Sequence, residues 1–331
     1  MTTLSVPRLS CGVALCTYNG LPYLQQQLQS LLAQQRLPDH IAIFDDDSTD
    51  GTWAFLNDWA KEVCVPVSLH QNAIRQGVAK NFEAATRALD TDLIFLCDQD
   101  DIWLPDKIDV LAKVFEAEPD VLLVHTDAQL VDGDARDLKM SMFKALGVSN
   151  DELKRMHSGD AFAVLCRRNL VTGATAAFRR SLLELAQPFP AGWLHDEWLA
   201  VLAAAKGKVV LMEVSLIQYR QHGRNVVGVS APSLWHSAKR FWQLLFLPVG
   251  EFQRQRAARA SVLLERLRAQ PTLPSAYLIL MQGALAHASF RSSLPKNPVR
   301  RFYAVLDEAR TGRYQRFSSG VPDIIRDLLQ R

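Results

Sequence analysis

Three aspartates, Asp98, Asp100 and Asp101, lie directly after a short apolar run at residues 93–97. The run predicts a buried strand, and Pro105 just beyond the acids marks the start of a helical pattern. Carboxylates this close together repel one another unless a cation lies among them. Because their oxygens are hard ligands, they favour Mg²⁺ or Mn²⁺, which would also bind phosphate oxygens. The alternative is a solvated acidic turn that caps a helix, so the rest of the chain has to distinguish the two.

Two further polar turns follow predicted strands in the same way. Residues 17–19, Thr-Tyr-Asn, come after the apolar run at 12–16, and residues 45–47, three aspartates, come after the run at 41–44. Helical patterns separate these runs, so strands and helices alternate through the first 125 residues. The predicted strands are residues 12–16, 41–44, 66–69, 93–97 and 121–125. This alternation predicts an α/β fold with a Rossmann-like, mostly parallel sheet, in which ligands bind at the carboxyl ends of the strands.

Two common nucleotide-binding classes lack their signatures in this sequence. There is no glycine fingerprint of a dinucleotide-binding turn and no phosphate-binding loop ending in Lys-Ser or Lys-Thr. The sequence therefore argues against a dehydrogenase and against a P-loop NTPase. A nucleotide held through a metal ion is compatible with the acidic turns.

The following hundred residues are less regular. Residues 132–160 show weak patterning and are predicted to be a mobile connection, and strands are predicted at 173–178, 209–212 and 216–219. Asp196 precedes the apolar helical pattern WLAVLAAAK, so it is expected near a helix N-terminus, where the helix dipole favours the ionised carboxylate.

The C-terminal third carries most of the positive charge. Residues 231–331 contain 16 Lys and Arg against 6 Asp and Glu, although the whole chain of 331 residues has a formal net charge of only +2. Aromatic residues such as Trp235, Phe241 and Trp242 alternate there with basic ones, which is typical of helices that lie on an anionic membrane surface. A helical bundle with a solvated basic face is the equal alternative. Nucleic-acid binding is disfavoured because no recognition fold accompanies the charge.

The compartment is predicted from cysteines and from apolar segments. Five cysteines without Cys-x-x-Cys spacing indicate reduced thiols, and the first 15 residues lack the features of a signal peptide. Residues 269–290 contain no charged side chain but include prolines and polar residues, so a buried helix is expected there instead of a membrane span. The predicted location is cytoplasmic, with peripheral attachment to the inner face of the cell membrane as an extension of that prediction.

Taken together, seven stretches resemble the inverting members of glycosyltransferase family 2, which have the GT-A fold. Within that family the chain looks most like the bacterial rhamnosyltransferases of surface-polysaccharide and lipopolysaccharide assembly. The stretches are CTYNG (16–20), FDDDSTDGT (44–52), QNAIRQGVAKNF (71–82), DQDDIWLPDKI (98–108), TGATAAF (172–178), HDEW (195–198) and YRQHGRNVVG (219–228). The resemblance implies a GT-A catalytic domain at 1–228, with a nucleotide-binding half at about 1–130 and an acceptor-binding half at 131–228. Residues 229–331 are then a helical, basic C-terminal region.

The resemblance also implies roles for particular residues. The implied nucleotide-sugar-binding residues are Thr17, Tyr18, Asn19, Asp45, Asp46, Lys80 and Asp98, the implied metal ligands are Asp100 and His222, and the implied catalytic base is Asp196. Within this set, Asp45 would accept a hydrogen bond from a pyrimidine imide N–H, Asp46 would support the turn, and Asp98 would reach the ribose or the metal. For Lys80 a solvated helix lysine is the alternative, and for His222 an ordinary loop histidine. Glu197 is a weaker candidate for the base, and Arg224 stands where relatives more often have asparagine.

The function implied is an inverting, metal-dependent transfer of a sugar to a saccharide or lipid-linked saccharide acceptor. The resemblance points to dTDP-L-rhamnose as the donor and to Mg²⁺ or Mn²⁺ as the cofactor. Two other classes remain: a sugar-nucleotide hydrolase or nucleotidyltransferase on a similar sheet, and a non-catalytic scaffold that only binds the nucleotide sugar.

Overall fold

A computed structural model describes residues 8–222 and 249–329 of the chain. Its contacts divide the chain into two compact units. The first unit comprises residues 1–161 and 170–230, and the second comprises 162–169 and 231–331. This division does not separate a nucleotide-binding half from an acceptor-binding half within the first unit. The aromatic and basic stretch from Trp235 to Phe246 lies outside the described residues, as does Arg224.

The first unit is built on one nine-stranded sheet. Its strands are β1 Cys11–Thr17, β2 His40–Asp45, β3 Val67–Gln71, β4 Leu93–Asp98, β5 Ile102–Trp103, β6 Val121–Val131, β7 Asp137–Ser141, β8 Ala176–Arg179 and β9 Lys208–Arg220. The order is β3-β2-β1-β4-β8-β6-β9-β5, with β7 paired to β6. The four strands β3, β2, β1 and β4 are all parallel, as the alternating pattern predicted. The short strand β8 is antiparallel to both of its neighbours, so the second half of the sheet is mixed.

Helices connect these strands and cover the sheet. In the first unit they are α1 Leu21–Leu32, α2 Thr52–Glu62, α3 Val78–Arg87, α4 Lys107–Ala117, α5 Met142–Ala145, α6 Asn150–His157, α8 Leu183–Ala186 and α9 His195–Lys206. The helix α7 Ala161–Arg167 belongs to the second unit, apart from its first residue. All seven residues of β1 are buried, as expected for a parallel strand covered on both faces. On α1, Leu24, Leu28 and Leu31 are buried at helical spacing and pack in the same core cluster. The predicted strands 12–16, 41–44, 66–69 and 93–97 are therefore confirmed with small shifts of their ends. The strand predicted at 121–125 is confirmed at its start, but β6 continues to Val131.

The expectation of a mobile connection at 132–160 is wrong. This segment holds β7, α5 and α6. The helix α6 begins with a capping box in which Ser149 and Glu152 satisfy each other's backbone N–H groups. The carboxylate of Asp127 accepts the backbone N–H of Phe143, which holds the start of α5 against the sheet. Each element is too short to show a hydrophobic period, so the sequence pattern could not identify them.

Two predicted boundaries beyond residue 170 also need correction. Residues 173–175 form a turn of 3-10 helix, and the strand β8 begins only at Ala176. The strands predicted at 209–212 and 216–219 are one strand, β9, whose pairing with β6 is irregular between Met212 and Ser215. Polar residues at that irregularity, such as Glu213, interrupted the apolar pattern and suggested a break.

The second unit is helical, as predicted for the C-terminal region. Its remaining helices are α10 Val249–Arg268, α11 Ser275–Ser292, α12 Pro298–Arg310, α13 Arg313–Phe317 and α14 Val321–Leu329. The uncharged stretch at 269–290 supplies most of α11, but this helix is buried on one side only, because Met281 is buried whereas Ile279 is 63% exposed. Within the described ranges, no helix combines the length and the apolar character needed to cross a bilayer.

Candidate active site

The carboxyl ends of the parallel strands bring the polar turns together. In the pairing of β1 with β2, Thr17 lies opposite Asp45, and in the pairing of β1 with β4, Cys16 lies opposite Asp98. The turns after β1, β2 and β4 therefore meet at one edge of the sheet, as the topology predicted.

Asp45 is fully buried, and its carboxylate is saturated with hydrogen bonds. It accepts the hydroxyl of Thr17 at 2.8 Å, and both the backbone N–H and the hydroxyl of Ser48 at 2.9 and 2.5 Å. The amide of Gln71 donates a fourth, longer bond of 3.3 Å. These bonds fix the acidic turn against the end of β1, and they also bury Thr17.

Asp46 organises the loop that precedes α3. Its carboxylate accepts the backbone N–H groups of Gln76 and Gly77 at 2.7 and 2.8 Å and the side-chain amide of Asn72 at 2.8 Å. Asn72 also donates to Asn81 on α3. Asp46 thus ties the loop at residues 72–77 to the edge of the sheet.

Tyr18 presents its ring at this edge. The ring is 37% exposed, and the guanidinium of Arg75 lies 3.9 Å from its centre, within the range of a cation–π contact. Asn19 next to it has a positive φ of 50° and uses its side-chain oxygen to accept the N–H of Thr49 at 2.8 Å. An aromatic ring and a cation therefore lie next to each other at this edge of the sheet.

Lys80 is on α3, with its ammonium engaged by the protein itself. It donates to Glu83 at 2.6 Å and to the carbonyl of Phe189 at 2.8 Å. About half of its side chain is exposed.

The acidic turn after β4 is attached to the neighbouring turns at three points. Gln99 accepts the N–H of Tyr18 at 2.8 Å and donates to its carbonyl at 3.0 Å. The side chains of Asp100 and His222 are 2.7 Å apart, and the His222 ring is stacked on Tyr23 with ring centres 4.7 Å apart. The buried carboxylate of Asp101 accepts the N–H of Arg220 at 2.9 Å.

Arg220 is the residue that holds this turn in place from below. Only 1% of it is exposed, and its guanidinium donates to the carbonyl of Asp100 at 2.8 Å, the carbonyl of Gly133 at 2.7 Å and the side chain of Gln26 at 2.6 Å. The sequence predicts no role for it, because a buried arginine at the end of a strand has no local signature.

Asp196 is the second residue of α9. Its carboxylate accepts the N–H of Gly173 at 3.0 Å and the N–H of Glu197 at 2.7 Å. The preceding His195 is buried and stacks on Phe82, with ring centres 3.9 Å apart. Two backbone donors and the N-terminus of the helix stabilise the ionised carboxylate.

The electrostatics place Asp196 close to the acidic turn. The pKa of Asp98 is raised to about 7, first by burial and then by the negative charges of Asp100 and Asp196. The pKa of Asp101 is raised well above its usual value, again by burial and by the charges of Asp100 and Asp98. The negative charges of Asp100 and Asp196 therefore both act on Asp98, although Asp196 is almost 100 positions away from it in sequence.

The donor set of this cluster fits a divalent cation. Asp100 and His222 offer one carboxylate and one imidazole at hydrogen-bonding distance from each other, and the mutual repulsion that raises the pKa of Asp98 is what a cation would relieve. Within residues 8–222 and 249–329, no group of three or more His, Cys, Asp or Glu side chains is already gathered as a ready metal site. The sequence prediction of Asp100 and His222 as ligands therefore stays a prediction.

Comparison with known proteins places this geometry in a family. The profile of Glycosyl transferase family 2 matches residues 12–185, which is more than half of the chain. The chain belongs to glycosyl transferase family 2. The matched residues include the polar turns after β1, β2 and β4, but not Asp196 on α9 or His222 after β9.

Curated relatives of this family 2 protein match it over part of their length. An uncharacterized glycosyltransferase of Nostoc sp. is 26% identical over 221 residues, which cover 66% of this chain and 66% of that protein. The dTDP-rhamnosyl transferase RfbG of Shigella flexneri is 34% identical over 98 residues, 28% of this chain and 34% of its own. The abequosyltransferase RfbV of Salmonella typhimurium is 28% identical over 109 residues, 32% of this chain and 33% of its own. The chain thus spans just under two thirds of the first relative and about a third of the other two.

Solved structures confirm the GT-A fold of this family 2 chain. TarS 1–349 of S. aureus in complex with UDP-GlcNAc superposes with a TM-score of 0.57 at 16% identity, covering 91% of this chain and 81% of that one. The mannosyltransferase PcManGT of Pyrobaculum calidifontis, in complex with GDP-Man and Mn²⁺, gives a TM-score of 0.51 at 20% identity, covering 98% and 84%. The predicted GT-A architecture, an α/β sheet flanked by helices with a helical C-terminal region, is therefore confirmed.

Proposed function

We propose that this chain is an inverting glycosyltransferase that moves a sugar from a nucleoside-diphosphate sugar to a saccharide acceptor. The observation that supports the proposal is the environment of Asp196: its carboxylate accepts the Gly173 N–H at the start of α9, and its charge raises the pKa of Asp98 at the candidate diphosphate site. Family membership supports the class of reaction.

The proposed chemistry is a single displacement with Asp196 as the base. The acceptor hydroxyl attacks the anomeric carbon from the face opposite the diphosphate, the bond to the diphosphate oxygen breaks, and the hydroxyl proton passes to Asp196. The N–H groups of Gly173 and Glu197 each donate to one oxygen of this carboxylate and hold it at the N-terminus of α9. No covalent intermediate on the protein is needed.

Asp100 and His222 are the residues that we assign to a Mg²⁺ or Mn²⁺ ion, with Asp98 directed to the ribose or to the same ion. Such an ion, when bound, stabilises the negative charge that develops on the departing nucleoside diphosphate. Tyr23, stacked on His222, holds the imidazole in place for this role. The Mn²⁺ in the complex of PcManGT is consistent with the assignment.

For the nucleotide we propose the pocket formed by Thr17, Tyr18, Asn19, Asp45 and Asp46. Tyr18 supplies an aromatic face for the base, and Asp45 supplies an acceptor for the imide N–H of a pyrimidine. Lys80 is proposed to reach the donor by exchanging its bond to the Phe189 carbonyl for a phosphate oxygen.

The finer identity of the substrates rests on the relatives. The short match to a dTDP-rhamnosyl transferase supports dTDP-L-rhamnose as donor and a growing surface glycan or lipopolysaccharide as acceptor. The second match, to an abequosyltransferase, makes another deoxysugar the natural competitor in any donor panel.

We further propose that the protein works in the cytoplasm, peripherally on the inner membrane face, where a lipid-linked acceptor would be found. On α12 four apolar side chains, Val299, Phe302, Tyr303 and Leu306, recur at helical spacing and are exposed. This exposed apolar face and the basic excess of residues 231–331 are the two features that favour binding to an anionic lipid surface.

The test combines donor binding with product analysis. A panel of nucleotide sugars is screened with Mg²⁺ or Mn²⁺ for a rise in melting temperature, since only a ligand of the native state raises it. The stabilising donor is then incubated with saccharide acceptors. We expect a lengthened acceptor, and Asp196→Asn should reduce transfer by a factor of about 10² to 10⁴ while donor binding is retained.

Glu197→Gln is the matched variant, because it removes the neighbouring carboxylate. Loss of transfer in Glu197→Gln and not in Asp196→Asn would reassign the base. Release of free sugar without a lengthened acceptor would indicate a hydrolase, and donor binding without turnover would indicate a scaffold.

A further inference from the structure

Lys107 is a fully buried lysine that the proposed reaction does not use. It is the first residue of α4, and none of its surface is exposed. Its ammonium donates to the carbonyl of Ala174 at 2.5 Å and lies 3.6 Å above the ring of Trp103. A buried ammonium is costly unless other groups compensate it. Its hydrogen-bond acceptor here is a main-chain carbonyl of a distant segment and not a carboxylate.

The charge of Lys107 also acts on the acidic turn. Burial lowers the pKa of Lys107 to about 7, and the nearby Cys97, Asp101 and Asp98 oppose that effect. In return its charge lowers the pKa of both aspartates. Lys107 thus lies between the acidic turn after β4 and the turn at residues 173–175.

The turn at 173–175 holds the carboxylate of Asp196. The N–H of Gly173 donates to that carboxylate at 3.0 Å. Gly173 is also packed tightly against the start of α9, because a Cβ atom added to it would lie 2.7 Å from the His195 ring and 3.5 Å from the Cβ of Asp196. A shift of this turn would therefore move the hydrogen-bond donor away from Asp196.

We propose that Lys107 is a positioning residue that, through the Ala174 carbonyl and the Gly173 N–H, fixes the carboxylate of Asp196 relative to the acidic turn. The inference rests on the proposed function, in which Asp196 is the base. In this proposal one buried cation connects the part of the site that would hold the diphosphate to the part that would accept the proton.

Replacing Lys107 by methionine distinguishes a positioning role from a purely structural one. Removing one partner of a buried ion pair is strongly destabilising, but the ammonium of Lys107 donates to a main-chain carbonyl, so its removal leaves no hydrogen-bonded carboxylate unpaired. Lys107→Met keeps the length of the side chain and its packing on Trp103, but it removes the donor to Ala174. If Lys107 positions the base, Lys107→Met should be stably folded and yet slow.

The experiment compares transfer rate, donor affinity and stability in the full chain. We expect Lys107→Met to lower kcat at least tenfold, with a donor Kd within threefold of wild type and an unchanged or raised melting temperature. Lys113→Met is the matched control on the same helix, because Lys113 is exposed and pairs only with Asp109 at 2.6 Å. It should leave kcat unchanged.

A second variant acts on the same connection from the other end. Gly173→Ala introduces the Cβ that meets His195, so it should also lower kcat with little change in donor Kd. Because both variants act through one turn, the double variant should be no slower than the slower single variant. Should Lys107→Met fail to fold, Gly173→Ala still reports whether this turn governs kcat.

A wild-type kcat in Lys107→Met would overturn the positioning role. So would a double variant in which the reductions in kcat of the two single variants multiply. A donor Kd that rises as much as kcat falls would overturn it too, by placing the effect at the donor site. Failure of the proposed function is distinguishable, because wild type would then lengthen no acceptor, and failure of the base assignment would appear as transfer retained in Asp196→Asn. If Asp196→Asn is inactive and Lys107→Met is not, only this inference falls.

Discussion

His125 offers a stability prediction that is independent of the active site. Its ring is fully buried in β6 and meets the edge of Phe143, with ring centres 5.9 Å apart. Among the described residues neither ring nitrogen has a hydrogen-bond partner. Burial lowers the pKa of His125 from 6.5 to about 3. The ring is therefore neutral in the folded protein at every pH at which the protein is handled.

The direction of the pH effect on stability follows from the protonation of His125 in the folded and unfolded states. Below pH 6.5 the histidine of the unfolded chain takes up a proton that the folded protein refuses until the pH approaches 3. Stability from this group is fully present above about pH 6.5 and is lost as the pH falls. Each pH unit in this window costs about 1.4 kcal/mol, so the loss between neutral pH and pH 5 is about 2 kcal/mol.

His125→Leu removes this cost while filling a similar volume. The free energy of unfolding is measured with urea between about pH 5 and pH 8 for both proteins. Wild type should lose about 2 kcal/mol more than His125→Leu on going to pH 5. Contributions of other titrating groups, including the raised Asp98 and Asp101, are common to both proteins and cancel in the difference.

Phe143→Leu is the control, because it weakens the same contact without removing a titrating group. It should lower stability by a similar amount at every pH. If wild type and His125→Leu lose stability in parallel down to pH 5, the reasoning from a buried neutral imidazole is refuted.

Three further predictions concern binding. Asp100→Ala should abolish the gain in donor affinity that Mn²⁺ provides, as measured by calorimetric titration; an undiminished gain would remove Asp100 from the metal ligands. Lys80→Met should weaken donor binding about tenfold and lower the free energy of unfolding by about 1 kcal/mol, because its hydrogen bonds are lost. A loss of stability with unchanged donor affinity would mean that Lys80 only holds the turn at Phe189. Phe302→Ser should reduce co-sedimentation with anionic lipid vesicles whereas Leu138→Ser, at another exposed apolar position, should not, and equal binding by both would separate α12 from any membrane role.

The parallel half of the sheet could be predicted from the sequence because burial on both faces leaves a plain signal. The strands β1, β2 and β4 are nearly continuous apolar runs that end in polar residues, whereas β3, at the end of the strand order, alternates between half-buried and exposed residues. The strand β8 lacks such a signal. It has four residues, and its antiparallel place between β4 and β6 is set by its partners on both sides. Similarly, the start of α5 is held by the bond from the Phe143 N–H to Asp127, which lies 16 positions earlier in the chain, and no local pattern shows such a contact.

The candidate site also contains residues that local sequence predicts and residues that only distant contacts define. The acids at 45, 98, 100 and 196 could be selected from the sequence because each stands at the end of a strand or the start of a helix. Arg220 and Lys107 could not, because a buried cation is the least expected state of either residue type. Their contacts join segments that are 67 to 194 positions apart in the chain. Long-range bonds of this kind follow from the completed topology and not from local patterns.

The hydrogen bonds of Asp45 limit how a nucleotide base could use it. All four of its acceptor positions are taken by groups of the protein, three at 2.5 to 2.9 Å and one at 3.3 Å. An imide N–H can reach the carboxylate only if one of these donors leaves. The bonds from Thr17 and Ser48 also fix the turn, whereas the longer bond from the Gln71 amide is the weakest and comes from a partly buried side chain at the end of β3. Recognition of a pyrimidine by Asp45 therefore requires the Gln71 amide to turn away, and the strength of that bond opposes donor binding.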